Sequence, residues 1–79
     1  MPDRSFFLTR RTVYPDLTER EMEVLHLVVQ GQSNQQIADA MVITVAMVKA
    51  HISNILAKLQ VASRAEASAF AIKNKLVSL

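Results

Sequence analysis

The stretch SNQQIADAMVITVAMVKAH, residues 33–51, contains one lysine, Lys49, among small and apolar side chains. Ser53 and Asn54 follow shortly after it, and both can donate and accept hydrogen bonds. An ammonium group with nearby hydroxyl and amide groups can bind a polyanion such as DNA, but it lacks the nucleophile and the acid–base pair that catalysis requires. These residues therefore predict recognition of a partner rather than a chemical reaction.

The sequence contains no catalytic or metal-binding constellation. With no cysteine it cannot form a disulfide, a thiolate zinc site or a thiol nucleophile, and a single glycine cannot build a phosphate-binding loop. His51 has no second histidine within helical reach, because His26 lies on another predicted helix; we interpret His51 as structural, with a metal ligand or proton switch as the alternative. We predict no enzyme activity, no cofactor and no metal.

The composition indicates one small all-α domain. The chain has 79 residues, of which 51% are hydrophobic and only four are aromatic, so aliphatic side chains and methionine must build the core. The net charge is +2, but no acidic residue lies between Asp39 and Glu66, so the second half of the chain is the expected site for an anionic partner. The possible cations in that interval are Lys49, Lys58, Arg64 and His51.

Hydroxyl side chains mark the starts of four predicted helices, three of them with Glu or Gln three residues later as in a capping box. Helix 1 is expected from about Glu19 to Gln30, with Gly31 as a left-handed stop. A two-turn helix 2, a tight turn over residues 42–44, a long helix 3 and a helix 4 ending near Asn74 follow. The predicted boxes are Thr18 with Glu21, Ser33 with Gln36 and Ser63 with Glu66, whereas Thr44 has Met47 in the boxing position.

Helical periodicity assigns an inward and an outward face to these helices. The expected inward residues are Val24, Leu25, Val28, Ile37, Ala38, Met41, Val48, Ile52, Ile55, Leu59, Ala67, Phe70 and Ala71. The outward half of helix 3 holds Ala46, Lys49, Ala50, Ser53, Asn54 and Ala57. A short helix, a turn and a longer helix with one free face are typical of a DNA-binding helix-turn-helix. The alternative is that an alanine-rich exposed face merely favours helix formation.

The first 16 residues show no helical period and are bracketed by Pro2 and Pro15. Charges flank their short apolar run, so it is neither a signal sequence nor a membrane span. We predict an N-terminal arm over 1–16, either mobile or loosely docked through Phe6, Phe7 and Tyr14, with a disordered tag as the alternative. The domain is expected over 17–79, in a soluble protein of the cytoplasm that makes no contact with membranes.

Four separated motifs, LTEREMEVL, GQSNQQIA, VKAHISNILAKLQV and SRAEA, occur in this order between about Leu17 and Val77. In order and spacing they resemble the C-terminal DNA-binding domain of LuxR/FixJ-type bacterial transcription regulators. The resemblance implies a four-helix, bundle-like domain in which helices 2 and 3 form the helix-turn-helix and helix 4 is often used for dimerisation. It also implies that Lys49 contacts DNA, with Ala50 and Ser53 facing the groove.

Two sets of site residues follow from the helical pattern and the resemblance taken together. The predicted DNA-binding residues are Ser33, Asn34, Gln35, Thr44, Ala46, Met47, Lys49, Ala50, Ser53, Asn54, Lys58 and Arg64. The predicted dimer interface, which depends on the resemblance alone, comprises Ala65, Ser68, Ala69 and Ile72. For Lys58 and Arg64 the alternative is an ion pair inside the domain with Glu19, Glu21 or Glu23.

The chain departs from the family pattern at several positions. Gln35 and Gln36 replace a common Lys-Glu pair, and Met47 replaces a common threonine, so we hypothesise modest DNA binding unless Arg10, Arg11 or a partner compensates. Each lost contact between a cationic side chain and a phosphate reduces by about 0.9 the slope of the logarithm of the binding constant against the logarithm of the salt concentration. Gln60 and Lys75 stand at two helix ends where the family usually has glycine. If these ends keep the left-handed conformation, the loss of glycine costs about 1 kcal/mol of stability.

The leading prediction is a sequence-specific bacterial transcription regulator that binds an inverted repeat of double-stranded DNA as a homodimer, with helix 3 in the major groove. The alternative is a protein-interaction module that modulates RNA polymerase or a partner regulator without tight DNA binding. Two further alternatives concern the chain itself, which is either a stand-alone regulator or a fragment of a larger one.

Overall fold

The computed structural model describes residues 17–77 of the chain. They form four α-helices, and no strand occurs within this range. The helices are α1 Glu19–Val29, α2 Asn34–Met41, α3 Val45–Leu59 and α4 Arg64–Lys73. The prediction of an all-α, four-helix domain is confirmed, whereas the predicted arm over 1–16 lies outside the described residues.

Each helix begins at a predicted hydroxyl cap, whose side-chain oxygen accepts a hydrogen bond from the backbone N–H three residues later. Thr18 and Ser33 complete their capping boxes. The full box predicted for Ser63 is wrong, because the Glu66 carboxylate accepts from the N–H of Ala62 at 2.8 Å instead. Ser63 has φ −148°, against −75° to −85° at the other three caps, which orients the preceding N–H toward the carboxylate.

The core lies where α1 packs against the other three helices, and α3 packs against α2 and α4. Of the thirteen residues predicted to face inward, ten are buried, which confirms the prediction from helical periodicity. Met41, Ile52 and Phe70 are only partly buried and pack against the edge of the core. The buried set is Val24, Leu25, Val28, Ile37, Ala38, Val48, Ile55, Leu59, Ala67 and Ala71.

The chain bends by 106° between α2 and α3. Three residues, Val42 to Thr44, make this turn, and Ile43 packs against the core from within it. Two helices at about 90–120° joined by a turn of three or four residues define a helix-turn-helix. The predicted arrangement of helices 2 and 3 is therefore confirmed.

No single helix within residues 17–77 has the length and apolar composition to cross a membrane. Only α2 and α3 taken together reach those thresholds, and the 106° bend separates them. In α3 the apolar content includes the buried residues Val48, Ile55 and Leu59, which belong to the core of the domain.

All four helices end in the same way, with a residue in the left-handed conformation followed by a hydrogen bond from the next N–H to the carbonyl five residues earlier. This is the Schellman motif, which normally uses glycine. Only α1 has glycine there, since Gly31 has φ 84° while Gln60 and Lys75 keep the same geometry at φ 60° and 58°. The predicted left-handed stop at Gly31 is thus confirmed, and Gln60 and Lys75 keep the left-handed geometry without the usual glycine.

Val42 ends α2 in the left-handed conformation, at φ 57° and ψ 50°. A β-branched side chain rarely adopts this region, at a cost of about 1–2 kcal/mol. Val42 is 88% exposed, so little packing offsets the strain. The sequence predicts a tight turn at this point but not its strained residue.

Replacing Val42 with asparagine is expected to raise the free energy of unfolding by about 1 kcal/mol, because asparagine tolerates the left-handed region. For a domain of this size that corresponds to a Tm increase of about 4–8 °C, measured by circular dichroism. The control is Ala57→Asn at an exposed helical position, where the same residue should lower stability by about 0.5 kcal/mol. A loss of stability in both variants would contradict the presence of strain at Val42.

Candidate nucleic-acid interface

The two halves of α3 have different surroundings. Val48, Ile55 and Leu59 are buried in the core, while the opposite half is open to solvent. All six residues of the predicted outward half are exposed, as is Met47. The exposed residues of this half are Ala46, Met47, Lys49, Ala50, Ser53, Asn54 and Ala57, and Lys58 is exposed near the end of the helix.

Lys49 is an available cation on this face. Its side chain is exposed and makes no hydrogen bond or ion pair with any residue between 17 and 77. The helix that holds it has no acidic residue, and its other lysine, Lys58, is already paired. A lysine ammonium carries three donors, so this group can bind a phosphate oxygen or the acceptors on a guanine edge.

The polar residues predicted to contact DNA at the starts of α2 and α3 also hold the fold together. Ser33 and Thr44 cap their helices, with oxygen-to-nitrogen distances of 3.1 Å to the N–H groups of Gln36 and Met47. The amide of Gln35 donates to Asp39 at 3.0 Å. A capping hydroxyl retains its own proton as a donor, so these positions can contact a phosphate without leaving their caps. Their DNA contacts stay a prediction.

Lys58 forms an ion pair inside the domain. Its Nζ lies 2.8 Å from Oε1 of Glu21, a residue that is only 4% exposed. The same carboxylate oxygen accepts from the backbone N–H of Thr18 at 3.0 Å. Of the two roles left open by the sequence, the structure shows the ion pair and identifies Glu21 as the partner; phosphate contact by Lys58 stays a prediction.

The surroundings of Glu21 set its ionisation. Burial raises the pKa of its carboxyl group, but the hydrogen bonds from Lys58 and Thr18 and the positive charges of Lys58 and His51 outweigh this effect, so the pKa lies below its ordinary value. The group is therefore ionised at neutral pH and holds the ammonium group of Lys58 against α1.

Arg64 links the start of α4 to the start of α2. One guanidinium nitrogen donates to Oδ1 of Asn34 and another donates to the carbonyl oxygen of Gln32. The predicted alternative of an ion pair with a glutamate of α1 is wrong for Arg64, because its guanidinium group binds Gln32 in the loop after α1 and Asn34 at the start of α2 instead. The two partners precede Arg64 by 30 and 32 residues, so no local sequence signal could have identified them.

Neither histidine belongs to a metal site in the part of the chain that the structure describes, where no group of three possible ligands comes together. His51 is half-buried and contributes to the field at Glu21, which fits the structural interpretation. His26 pairs through Nε2 with the side-chain amide of Gln30 at 3.0 Å.

The predicted dimer residues lie on α4, away from its buried face. Ala65 and Ala69 are exposed, Ile72 is 45% exposed and Ser68 is partly buried. Ala67 and Ala71 occupy the opposite face and belong to the core. The structure thus leaves an apolar strip of α4 in solvent, and its role stays a prediction.

Similarity to known proteins covers most of the chain. The family model described as "Bacterial regulatory proteins, luxR family" matches residues 15–71. The response regulator protein VraR of Staphylococcus aureus (strain Mu3 / ATCC 700698) is 50% identical over 68 residues, which cover 86% of this chain and 32% of VraR. VraR proteins of Staphylococcus saprophyticus and Staphylococcus epidermidis match with the same identity and coverage. The chain spans about a third of the length of these curated relatives.

Proposed function

The chain belongs to the luxR family of bacterial regulatory proteins, and from this premise we propose that it is a DNA-binding transcription regulator that inserts α3 into the major groove of an inverted repeat as a homodimer. The family consists of regulatory proteins, which confirms the prediction that the chain is not an enzyme. The observation that carries the proposal is the exposed face of α3, where Lys49 has no partner among residues 17–77 and no acidic residue occurs.

The dimensions of α3 suit the groove. Its 15 residues extend over about 22 Å, and the major groove is about 12 Å wide. Three of the seven residues named on the exposed half are alanine and a fourth is serine, so small side chains let the helix backbone approach the base edges closely. Lys49 then reaches a guanine edge or a phosphate, and Ser53 and Asn54 supply donors and acceptors one turn further along.

The residues at the helix starts would position the domain on the DNA backbone. Ser33, Gln35 and Thr44 lie at or near the N-termini of α2 and α3, where helix dipoles favour phosphate groups. Contacts of this kind fix register and orientation but carry little sequence information. We assign base recognition to α3 and orientation to these helix starts.

Dimerisation would use the exposed strip of α4. Ala65 and Ala69 permit close approach of a second helix, and Ile72 offers an apolar side chain. Two α3 helices related by twofold symmetry would read half-sites about 10 base pairs apart. The dimer and the inverted repeat are part of the same proposal and are tested together.

A selection of duplexes from a random library, at near-physiological salt, tests this function. The expected result is an enriched inverted repeat with the predicted spacing. Because Lys58 and Arg64 already bind partners within the domain, the binding of DNA should also show a shallow salt dependence, with a log–log slope of about −2 to −4 for two to four phosphate contacts per dimer. A slope of about −8, or an enriched site without internal symmetry, would contradict the proposed mode.

A second candidate function is a protein-interaction module that modulates RNA polymerase or a partner regulator. Two exposed apolar side chains favour it, Val42 in the turn at 88% exposure and Met47 just after it at 46%. The selection separates the two functions, since an interaction module would enrich no duplex and would bind DNA weakly at every salt concentration.

A further inference from the structure

The first two turns of α3 present an unusually apolar surface toward solvent. Of their four exposed side chains, Ala46 and Ala50 have no hydrogen-bonding atom, and Met47 has only a weakly accepting thioether. Lys49 is the exception. Met47 is 46% exposed, although a methionine side chain gains free energy when it leaves water. This surface therefore suits an apolar partner at the point where a recognition helix meets the bases.

The major groove offers one apolar group of this size. Among the four bases only thymine carries a methyl group, at C5, and 5-methylcytosine carries the same group. Residues in the N-terminal part of a recognition helix contact base edges. On the basis of the proposed function, we propose that Met47, with Ala50 beside it, reads a thymine methyl in each half-site.

The positions of the two side chains on α3 support this assignment. Residues three apart are neighbours on a helix surface, so Met47 and Ala50 form one continuous apolar patch. Lys49 lies about 160° around the helix from Met47 at 100° per residue. The recognition surface is thus divided, with methyl contacts on one side and hydrogen bonds or ionic contacts from Lys49 on the other.

Methionine suits such a contact because its side chain is unbranched, with three rotatable bonds and a polarizable sulfur. The side chain of Met47 can therefore adjust to a methyl group that lies too far from the helix for an alanine side chain to contact. The backbone N–H of Met47 donates to Thr44 Oγ1 at 3.1 Å, which fixes the backbone from which the 46% exposed side chain extends.

The test replaces thymines of the selected inverted repeat, one position at a time in both half-sites, with deoxyuridine. This change removes only the C5 methyl and leaves the hydrogen-bonding edge intact. We expect the affinity to fall about three- to fivefold per lost methyl contact at one position of the half-site. Cytosine at that position should bind weakly and 5-methylcytosine should recover part of the loss. Deoxyuridine outside the half-sites is the control and should have no effect.

The Met47→Ala variant connects the effect to its residue. It should bind the thymine and deoxyuridine duplexes with nearly equal affinity, whereas Asn54→Ala should keep the preference for thymine. Equal binding of both duplexes by the unchanged protein would overturn the inference and leave the proposed function standing, as would a selected half-site without thymine. A preference that persists in Met47→Ala would overturn the assignment to Met47. Failure to enrich any duplex would instead overturn the proposed function, and the inference with it.

Discussion

Replacing Lys49 with alanine is expected to weaken binding of the inverted repeat by about 30-fold or more. A good contact between a side chain and a base contributes about 1–3 kcal/mol of discrimination, and a dimer loses it in both half-sites. Lys49 is the exposed cation on α3 without a partner among residues 17–77, so α3 holds no second unpaired cation that could replace it. Fluorescence anisotropy titration at fixed ionic strength measures the change.

The control variant is Lys73→Ala, which removes the same charge from the last turn of α4. It should change the affinity less than about threefold, because a general electrostatic effect is weak at that distance and is screened by salt. Neither substitution should change the free energy of unfolding by more than about 0.5 kcal/mol, since both side chains are exposed. Equal weakening by both variants would show that net charge, not groove contact, controls binding.

Replacing Lys58 with methionine is expected to lower the free energy of unfolding at pH 7 by about 2–3 kcal/mol. The variant keeps most of the apolar stem but leaves the carboxylate of Glu21 buried without its cation. Breaking a buried pair by removing one partner costs about 3–5 kcal/mol, and the partial exposure of Lys58 reduces that figure here. Urea denaturation followed by circular dichroism measures the difference.

The pH dependence of the free energy of unfolding should also report on the pair of Lys58 and Glu21. Because the pKa of Glu21 in the folded protein lies below its unfolded value, its stabilising effect is present above the unfolded pKa and is lost as the pH falls through the folded pKa. In Lys58→Met the burial of the carboxyl group is opposed only by the Thr18 hydrogen bond and the charge of His51, so protonation costs less, and the deficit relative to the unchanged protein should shrink as the pH falls below the unfolded pKa. The double variant Glu21→Gln/Lys58→Met should regain part of the stability at pH 7. A deficit independent of pH would contradict this account.

The helix starts and the buried faces could be predicted from the sequence because their determinants are local. A hydroxyl cap interacts with a backbone group three residues away, as at Thr18, Ser33 and Thr44, and an amphipathic period needs only one helix. The capping-box pattern is misleading only at Ser63, where a change in one backbone angle moves the bond of Glu66 to Ala62.

The long-range polar contacts could not be predicted with the same certainty. Lys58 reaches Glu21 across 37 residues, and Arg64 reaches a backbone carbonyl across 32. Nothing in the types of these residues distinguishes a structural ion pair from a phosphate ligand, since both require an exposed or half-exposed cation. The left-handed conformation of Val42 could not be predicted either, because valine rarely adopts it and gives no signal for it in the sequence.

The candidate site could likewise be predicted only in the part that depends on local sequence. The outward half of α3 follows from its period, and the structure exposes all six residues that the period assigned to it. Which of them meets which base depends on the depth and angle at which the helix enters the groove. Those two quantities are properties of the complex, so the duplex experiments address them directly.

The separation of α3 into a core half and a solvent half has a consequence for the evolution of such regulators. Val48, Ile55 and Leu59 fix the helix in the domain, while Met47, Ala50 and the other exposed residues contribute little to the core. After gene duplication, mutations on the outer half can therefore accumulate without unfolding the protein. Descendants with different target genes can arise from a common scaffold through a few amino-acid changes, each intermediate being a folded protein on which selection can act.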